Sequence, residues 1–320
     1  NYHGRRPHHF ARIALSVLIS PKRAISEIEA GLADYTPVGS SWSASAARSA
    51  HASRLAARYG TGSPAAARGA QQYYANPSDQ LDYFVLNTHR PLFSDARMRR
   101  AVNYAIDRRA LAQRGDRFNP LPAHPTGHYL APGMPGFRDA HVYPLTPDVV
   151  KARKLVRGGQ RTAVLYTCNS SPCPEQAQIV KNDLAAIGLH VHIKKIPFAT
   201  YFTTLGKPGD PFDLAWDGWL PDYIDPAAML NSLLADSSFG PTFDDPAYRR
   251  RLAAASRLSG PERYLTYGRL DLELARDAAP LAAFDNLSDD DFFAARIGCQ
   301  TYGIYGMDLA ALCIRRPHAG

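Results

Sequence analysis

Residues 212–226, FDLAWDGWLPDYIDP, hold the densest set of side chains capable of chemistry in this chain. Trp216, Trp219 and Tyr223 alternate with four carboxylates, Asp213, Asp217, Asp222 and Asp225. Aromatic rings offer broad apolar surfaces, and carboxylates beside them in a partly dry cleft hold cations through charge-assisted hydrogen bonds. The pattern suits recognition of an amphipathic, positively charged ligand. It is not a catalytic pattern: the chain contains no Gly-x-Ser-x-Gly elbow and no His-Glu-x-x-His run, and nothing points to an activated nucleophile.

The remaining reactive residue types are the cysteines and histidines. Cys168 and Cys173 are spaced C-x4-C, and Cys299 and Cys313 C-x13-C. Zinc ribbons use two tight C-x2-C knuckles, so two local disulfides are the better reading, with reduced structural cysteines as the alternative. Disulfides place a protein in an oxidising, extracytoplasmic compartment. His124, His128 and His141 lie in a Pro- and Gly-rich stretch without an acidic or thiol ligand at coordinating distance in sequence, and they read as surface residues; no metal and no cofactor is expected.

Elements must position the aromatic and acidic run, and 320 residues at 45% hydrophobic content suffice for one large core or two lobes. No apolar run reaches the length of a membrane span, and the first residues lack the pattern of a signal peptide. A formal net charge of +8 raises nucleic acid as a partner. The arginines are instead dispersed through alanine-rich helical patterns (Arg99-Arg100, Arg108-Arg109, 249–251), and the aromatic cluster is acidic, so no nucleic acid is expected.

Taken in order, the sequence predicts a strand over 12–18, a helix over 21–30 closed by Gly31, a helix over 45–59 and a flexible stretch over 60–69. A strand follows over 82–88. Asp95 or Ser94 then caps a helix with Met98, Val102, Ala105 and Ile106 on one face. A strand (162–167), a helix (175–187) and a strand (189–196) form a βαβ unit, with His190, His192 and Lys194 on its solvated face. Another strand spans 212–216. Asp225 and Pro226 start a helix at its N-cap and first turn. Helices over 246–258 and 261–277, the second with Tyr264, Tyr267, Leu270 and Leu274 inward, precede strands over 280–284 and 309–315.

The order of these pieces resembles the solute-binding proteins of peptide- and nickel-type ABC importers, the oligopeptide- and dipeptide-binding proteins of extracellular solute-binding family 5. The family run G-W-x-x-D-Y-x-[DE]-P is matched by Gly218, Trp219, Asp222, Tyr223, Asp225 and Pro226. A second run, D-x-R-x-R-x-A-x-x-x-A-I-D-R, is matched by Asp95, Arg97, Arg99, Ala101, Ala105, Ile106, Asp107 and Arg108, whose charges read as structural. Asn1-Tyr2-His3-Gly4, Ala30-Gly31-Leu32-Ala33-Asp34 and GHYLAPGMPGF (127–137) match further elements.

The resemblance implies a periplasmic-binding-protein-like α/β fold of class II, cluster C type, with two lobes and a ligand cleft. Lobe I corresponds to 1–86 plus 281–320, its leading portion without counterpart here, and the ligand-reading lobe to 87–280. It implies a monomeric, extracytoplasmic protein, lipid-anchored in full-length form, that captures short peptides and passes them to membrane permease subunits. Asp222 then holds the peptide's α-ammonium and Trp219 walls the first pocket, with Trp216, Asp217 and Tyr223 as further candidates. Tryptophan at 216 replaces an arginine that in some oligopeptide binders meets the ligand carboxylate. Nickel chelates, oligosaccharides or glutathione are alternative cargoes, and a surface interaction protein without a small ligand is another reading.

Overall fold

The computed structural model describes residues 9–38, 45–115, 123–159, 161–207, 209, 211–234, 242–303 and 306–315. They form two compact units, one from the described parts of Asn1–Asn76 and Ser288–Gly320, the other from those of Pro77–Arg117 and Pro122–Leu287. Each has its own apolar core, the first around Ile25, Leu55, Phe292 and Phe293, the second around Phe84, Leu165, Trp216, Met229 and Phe284. The boundaries fall inside two long strands, whereas the sequence reading puts them at 86/87 and 280/281.

In the first unit, Ser20 caps helix α1 (Pro21–Glu29) by accepting from the Arg23 amide, and Ile25 and Ile28 are its buried residues. Gly31, at φ +73°, supplies the left-handed turn that ends it. Strand β1 (Tyr35–Pro37) and helices α2 (Ser45–Tyr59) and α3 (Pro64–Ala67) follow, the last capped by Ser63 within the stretch expected to be flexible. Strand β2 (Tyr73–Leu86) then enters the second unit.

In that unit helix α4 (Pro91–Ser94) leads to α5 (Ala96–Ala105) and α6 (Arg108–Ala112). The single helix expected here is two. Ile106 adopts an extended conformation and Asp107 caps a new helix, its carboxylate accepting from the Ala110 amide at 2.9 Å. Next come β3 (His124–Pro125), α7 (Val149–Leu155), β4 (Thr162–Cys168), α8 (Cys173–Ala185), β5 (His190–Ile196), α9 (Phe198–Leu205) and β6 (Leu214–Trp219). Helices α10 (Pro226–Leu234), α11 (Pro246–Ala255) and α12 (Gly260–Glu273) precede β7 (Leu281–Phe293).

The strands of the second unit lie in the order β7-β2-β6-β4-β5, with β6 antiparallel to β2 and parallel to β4. The parallel pair β4 and β5 flanks α8, as the βαβ pattern predicts. Val191 is buried there while His190, His192 and Lys194 are exposed, so the period-2 alternation sorts this strand correctly. Disulfides join Cys168 to Cys173 and Cys299 to Cys313, with Cα separations of 5.5 and 5.4 Å. The second bridges the short pair Ile297–Gly298 and Cys313–Ile314.

Four expectations differ from the structure for physical reasons. Residues 12–18 form no strand: they pair with no other strand, and Leu15, Val17 and Leu18 are exposed. The C-terminal strand shrinks to Cys313–Ile314 because 309–311 form a turn. Tyr264 is part-exposed, while Tyr267, Leu270 and Leu274 are buried. Strand β7 runs nine residues past the expected end at 284, through Asp289, Asp290 and Asp291. Burial of these acids is tolerated because tyrosine hydroxyls meet them: Tyr73 donates to Asp290, and Tyr35 to Asp291 at 2.6 Å. The expected Asn1–Gly4 turn lies outside the described residues.

Two of the four arginines of the Asp95–Arg108 run, Arg99 and Arg108, are internal. Arg99 donates to the carbonyls of Ala278, Phe93 and Ser94. Arg108 is fully buried and donates to the carbonyls of Asn103, Thr126, Pro144 and Ala283 and to Asn103 Oδ1. Burial lowers its pKa to about 10, still charged at neutral pH. A single planar fork therefore ties together α5, the residue just after β3, the loop before α7 and β7. Arg108→Met keeps most of the volume but leaves several carbonyls without a donor, and a loss of about 3 kcal/mol or more is expected in urea denaturation at unchanged m.

Candidate ligand-binding site

The aromatic and acidic run begins as the inner strand β6, and its first half is interior. Pairing sets Tyr83 opposite Asp217, Phe84 opposite Trp216 and Leu86 opposite Leu214 on one side, and Leu165 opposite Leu214 on the other. At the strand's entry Asp213 extends the ladder with its side chain: its carboxylate accepts from the Val164 amide at 2.8 Å and from Arg90 Nε at 3.3 Å.

Trp216 is buried, its indole N–H donating to Gln176 Oε1 at 2.8 Å. Gln176 in turn donates to the Gly115 carbonyl at 2.9 Å. Asp217 is also buried, accepting from Tyr83 Oη at 3.0 Å and from the Gly218 amide at 2.8 Å. A cavity of about 10 Å³ beside Asp217 is lined in part by Tyr83, Ala215 and Leu281, a space on the scale of one water molecule. Both residues thus serve the interior of the unit, because an inner strand directs them into the core.

Gly218 and Trp219 are the last residues of β6 to pair with β2. A Cβ at Gly218 would stand 2.7 Å from Asp82 Oδ1, so a larger residue would require the buried Asp82 carboxylate to move. Trp219 follows, half-buried, its indole N–H donating to the Ala228 carbonyl of α10 at 3.0 Å. The next residues turn outward. Asp222, Tyr223 and Ile224 are exposed, Tyr223 by 57%. Asp225 closes the loop as the α10 cap, accepting from the Ala227 amide at 2.8 Å.

The structure therefore places Asp222 and Tyr223 on one exposed loop, with Trp219 half-buried at the strand end that leads into it, and separates Trp216 and Asp217 from them. Sequence reasoning missed Tyr83 as the partner of Asp217 and Gln176 as that of Trp216. It also missed Arg263, which grips Asp225 with Nη2–Oδ1 at 2.6 Å and Nε–Oδ2 at 2.9 Å. Separations of 134, 40 and 38 residues leave no local signal for these pairs. Of the histidines, His128 is buried beside Asp271, Nδ1 to Oδ2 at 2.8 Å, while His124 and His141 are exposed. Among the described residues no cluster of His, Cys, Asp or Glu forms a metal-binding group, and no helix is long and apolar enough to cross a membrane.

The profile of the bacterial extracellular solute-binding proteins, family 5 Middle, matches residues 1–241. The periplasmic oligopeptide-binding protein OppA of Salmonella typhimurium is 24% identical over 212 residues, covering 62% of this chain and 38% of OppA. A probable di/tripeptide-binding protein 5 of Pseudomonas aeruginosa is 31% identical over 160 residues, 48% of this chain and 29% of that protein. The fold is that of a putative peptide-binding protein AppA from Clostridium difficile, with a TM-score of 0.73 at 13% identity over 94% of this chain and 60% of that one. The chain thus spans less than two thirds of the length of each of these proteins.

Burial raises the Asp217 pKa to about 7, against the lowering effect of its two hydrogen bonds. A folded-state value above the unfolded one, about 4, means the native state binds more protons between pH 4 and 7. The Asp217 contribution to stability is full below pH 4 and falls as pH rises to about 7, by a few kcal/mol in total. Asn in place of Asp217 can accept from the Gly218 amide and donate to Tyr83. Chemical denaturation of Asp217→Asn at a series of pH values should show this downward slope removed.

Proposed function

The chain belongs to the bacterial extracellular solute-binding proteins of family 5, and from that membership we propose that it captures short peptides for an ABC importer. The unit that carries β6 is the ligand-reading one. Asp222 pairs with the α-ammonium of the peptide, Trp219 supports the first residue with its ring face, and Tyr223 adds apolar and hydroxyl contact.

The observation that carries this reading is the exposure of Asp222 on a loop whose two ends are fixed, by Gly218 against β2 and by Asp225 at the α10 N-terminus. A carboxylate held at the surface between aromatic neighbours offers a charge-assisted contact with little ordering cost on binding. The rest of the peptide binds through its main chain, which accounts for tolerance of varied side chains. The two disulfides favour an extracytoplasmic site of action. There the protein hands its cargo to membrane permease subunits, anchored by lipid in full-length form, and does no chemistry on it.

A thermal-shift titration with a pool of di- to tetrapeptides tests the reading, with the same peptides N-acetylated and with glutathione as a separate arm. Stabilisation is expected to rise with the logarithm of peptide excess and to vanish on acetylation. Asp222→Ala should weaken binding by roughly 10- to 100-fold, the scale of one hydrogen-bonded charge pair. A cooperatively folded sample that shifts with no peptide refutes peptide capture. A shift with acetylated and free peptides alike refutes the role of Asp222.

A further inference from the structure

We infer that Arg263 is the positioning residue of this site: by clamping Asp225 it fixes the loop that presents Asp222 and Tyr223. The inference rests on the peptide-capture reading for its ligand, and on the geometry of one helical cluster for its mechanism.

Asp225 has two duties that compete for the same short side chain. As the N-cap of α10 its Oδ1 accepts from the Ala227 amide at 2.8 Å. As the last residue of the exposed loop it must also set the direction from which the chain arrives, and a cap hydrogen bond alone leaves that direction loose. The fork of Arg263 removes the freedom, because two parallel N–H···O bonds fix the plane of the carboxylate as well as its place. A lysine offers a point charge and cannot do the same.

The guanidinium is in turn immobilised. Its Nη1 donates to the carbonyls of Ala255, Ser256 and Leu258 at 3.2, 2.8 and 3.3 Å, at the C-terminal end of α11. It also sits 5.1 Å from the ring centre of Tyr267, one turn on in α12. The Tyr267 hydroxyl donates to Asn231 Oδ1 of α10 at 3.1 Å. The clamp therefore joins the start of α10, the end of α11 and the first turns of α12 beneath the loop. Exposure is low for both partners, 15% for Arg263 and 19% for Asp225, so water screens the pair less than it would a surface ion pair.

A salt bridge that served only to hold three helices could lie anywhere along them. This one ends on the residue three positions after Asp222, directly after the three exposed side chains of Asp222, Tyr223 and Ile224. Rigidity there acts on the ligand, since a preordered carboxylate loses less entropy when it meets the ammonium.

The test uses Arg263→Met and Asp225→Asn. The second keeps the cap acceptor and leaves the Arg263 bonds to α11 untouched, so it separates the clamp from folding of the cluster; Arg263→Lys is the conservative control. Hydrogen exchange is read without ligand at the amides of Asp225, Ala227 and Ala228. Affinity for a free-amine dipeptide and its acetylated form is read by calorimetry, alone and in the Asp222→Ala background. Exchange at least tenfold faster in both variants is expected. Affinity for the free amine should fall about tenfold or more, Arg263→Lys should recover only part of it, and the loss should be absent when Asp222 is already alanine. Unchanged exchange overturns the clamp whether or not any peptide binds. Faster exchange with unchanged affinity, or an equal loss in the Asp222→Ala background, overturns its action through Asp222. If the wild-type protein binds neither peptide, the capture reading fails and takes with it the link to the ligand.

Discussion

The placement of β6 between an antiparallel and a parallel neighbour is the constraint on which the rest of the second unit depends. A strand paired on both sides has no free edge, and its side chains enter apolar layers above and below. Leu214, Ala215 and Trp216 satisfy that demand directly. Asp217 does not, and Tyr83 across the ladder supplies the donor that makes its burial bearable. Trp216 brings a polar indole N–H into the layer on the opposite face of the sheet, and Gln176 of α8 meets it while donating to the Gly115 carbonyl. The strand is thereby locked in register, since a shift of one residue would turn every one of these partners to the wrong face.

Rigidity of this strand is what gives meaning to the loop that follows. Gly218 packs tightly against Asp82 of β2, and Trp219, the last residue paired with that strand, is tied to α10 through the Ala228 carbonyl. Pro221, Asp222, Tyr223 and Ile224 then bridge a fixed strand end and a fixed helix start. A loop of that length between two anchored ends samples few conformations, so its exposed side chains are presented rather than left to wander. Functional groups on short loops above a stiff scaffold are a common solution to recognition, and the buried half of the run is the scaffold for the exposed half.

Charge is used inside the protein in a way that its net value conceals. The +8 balance suggests an anionic partner, yet Arg99 and Arg108 are buried and spend most of their donors on main-chain carbonyls. Several acids are likewise inside: Asp290 and Asp291 meet tyrosines in the first unit, as Asp217 does in the second. Each carboxylate accepting from a phenol lets a polar residue occupy a strand without breaking it. Burial raises the Asp291 carboxyl to about 6, as it raises Asp217.

The sequence by itself determined the family, the α/β class and the elements whose signals are local. The caps Asp95 and Asp225, Gly31 after α1, the alternation of β5 and the helical period of α8 are written within a few residues of where they act. The run of aromatic and acidic side chains was also legible as a recognition segment. Its division was not. Trp216, Asp217, Trp219 and Asp222 look equivalent along the chain, and only the pairing of β6 turned the first pair inward and left Asp222 exposed. The same holds for Asp289–Asp291, acids that β7 carries inside because Tyr35 and Tyr73 meet two of them, and for residues 12–18, whose strand-like pattern found no partner. Side-chain patterning reports what a segment can bury. What it does bury is decided by neighbours tens to hundreds of residues away, and those arrive only with the tertiary fold.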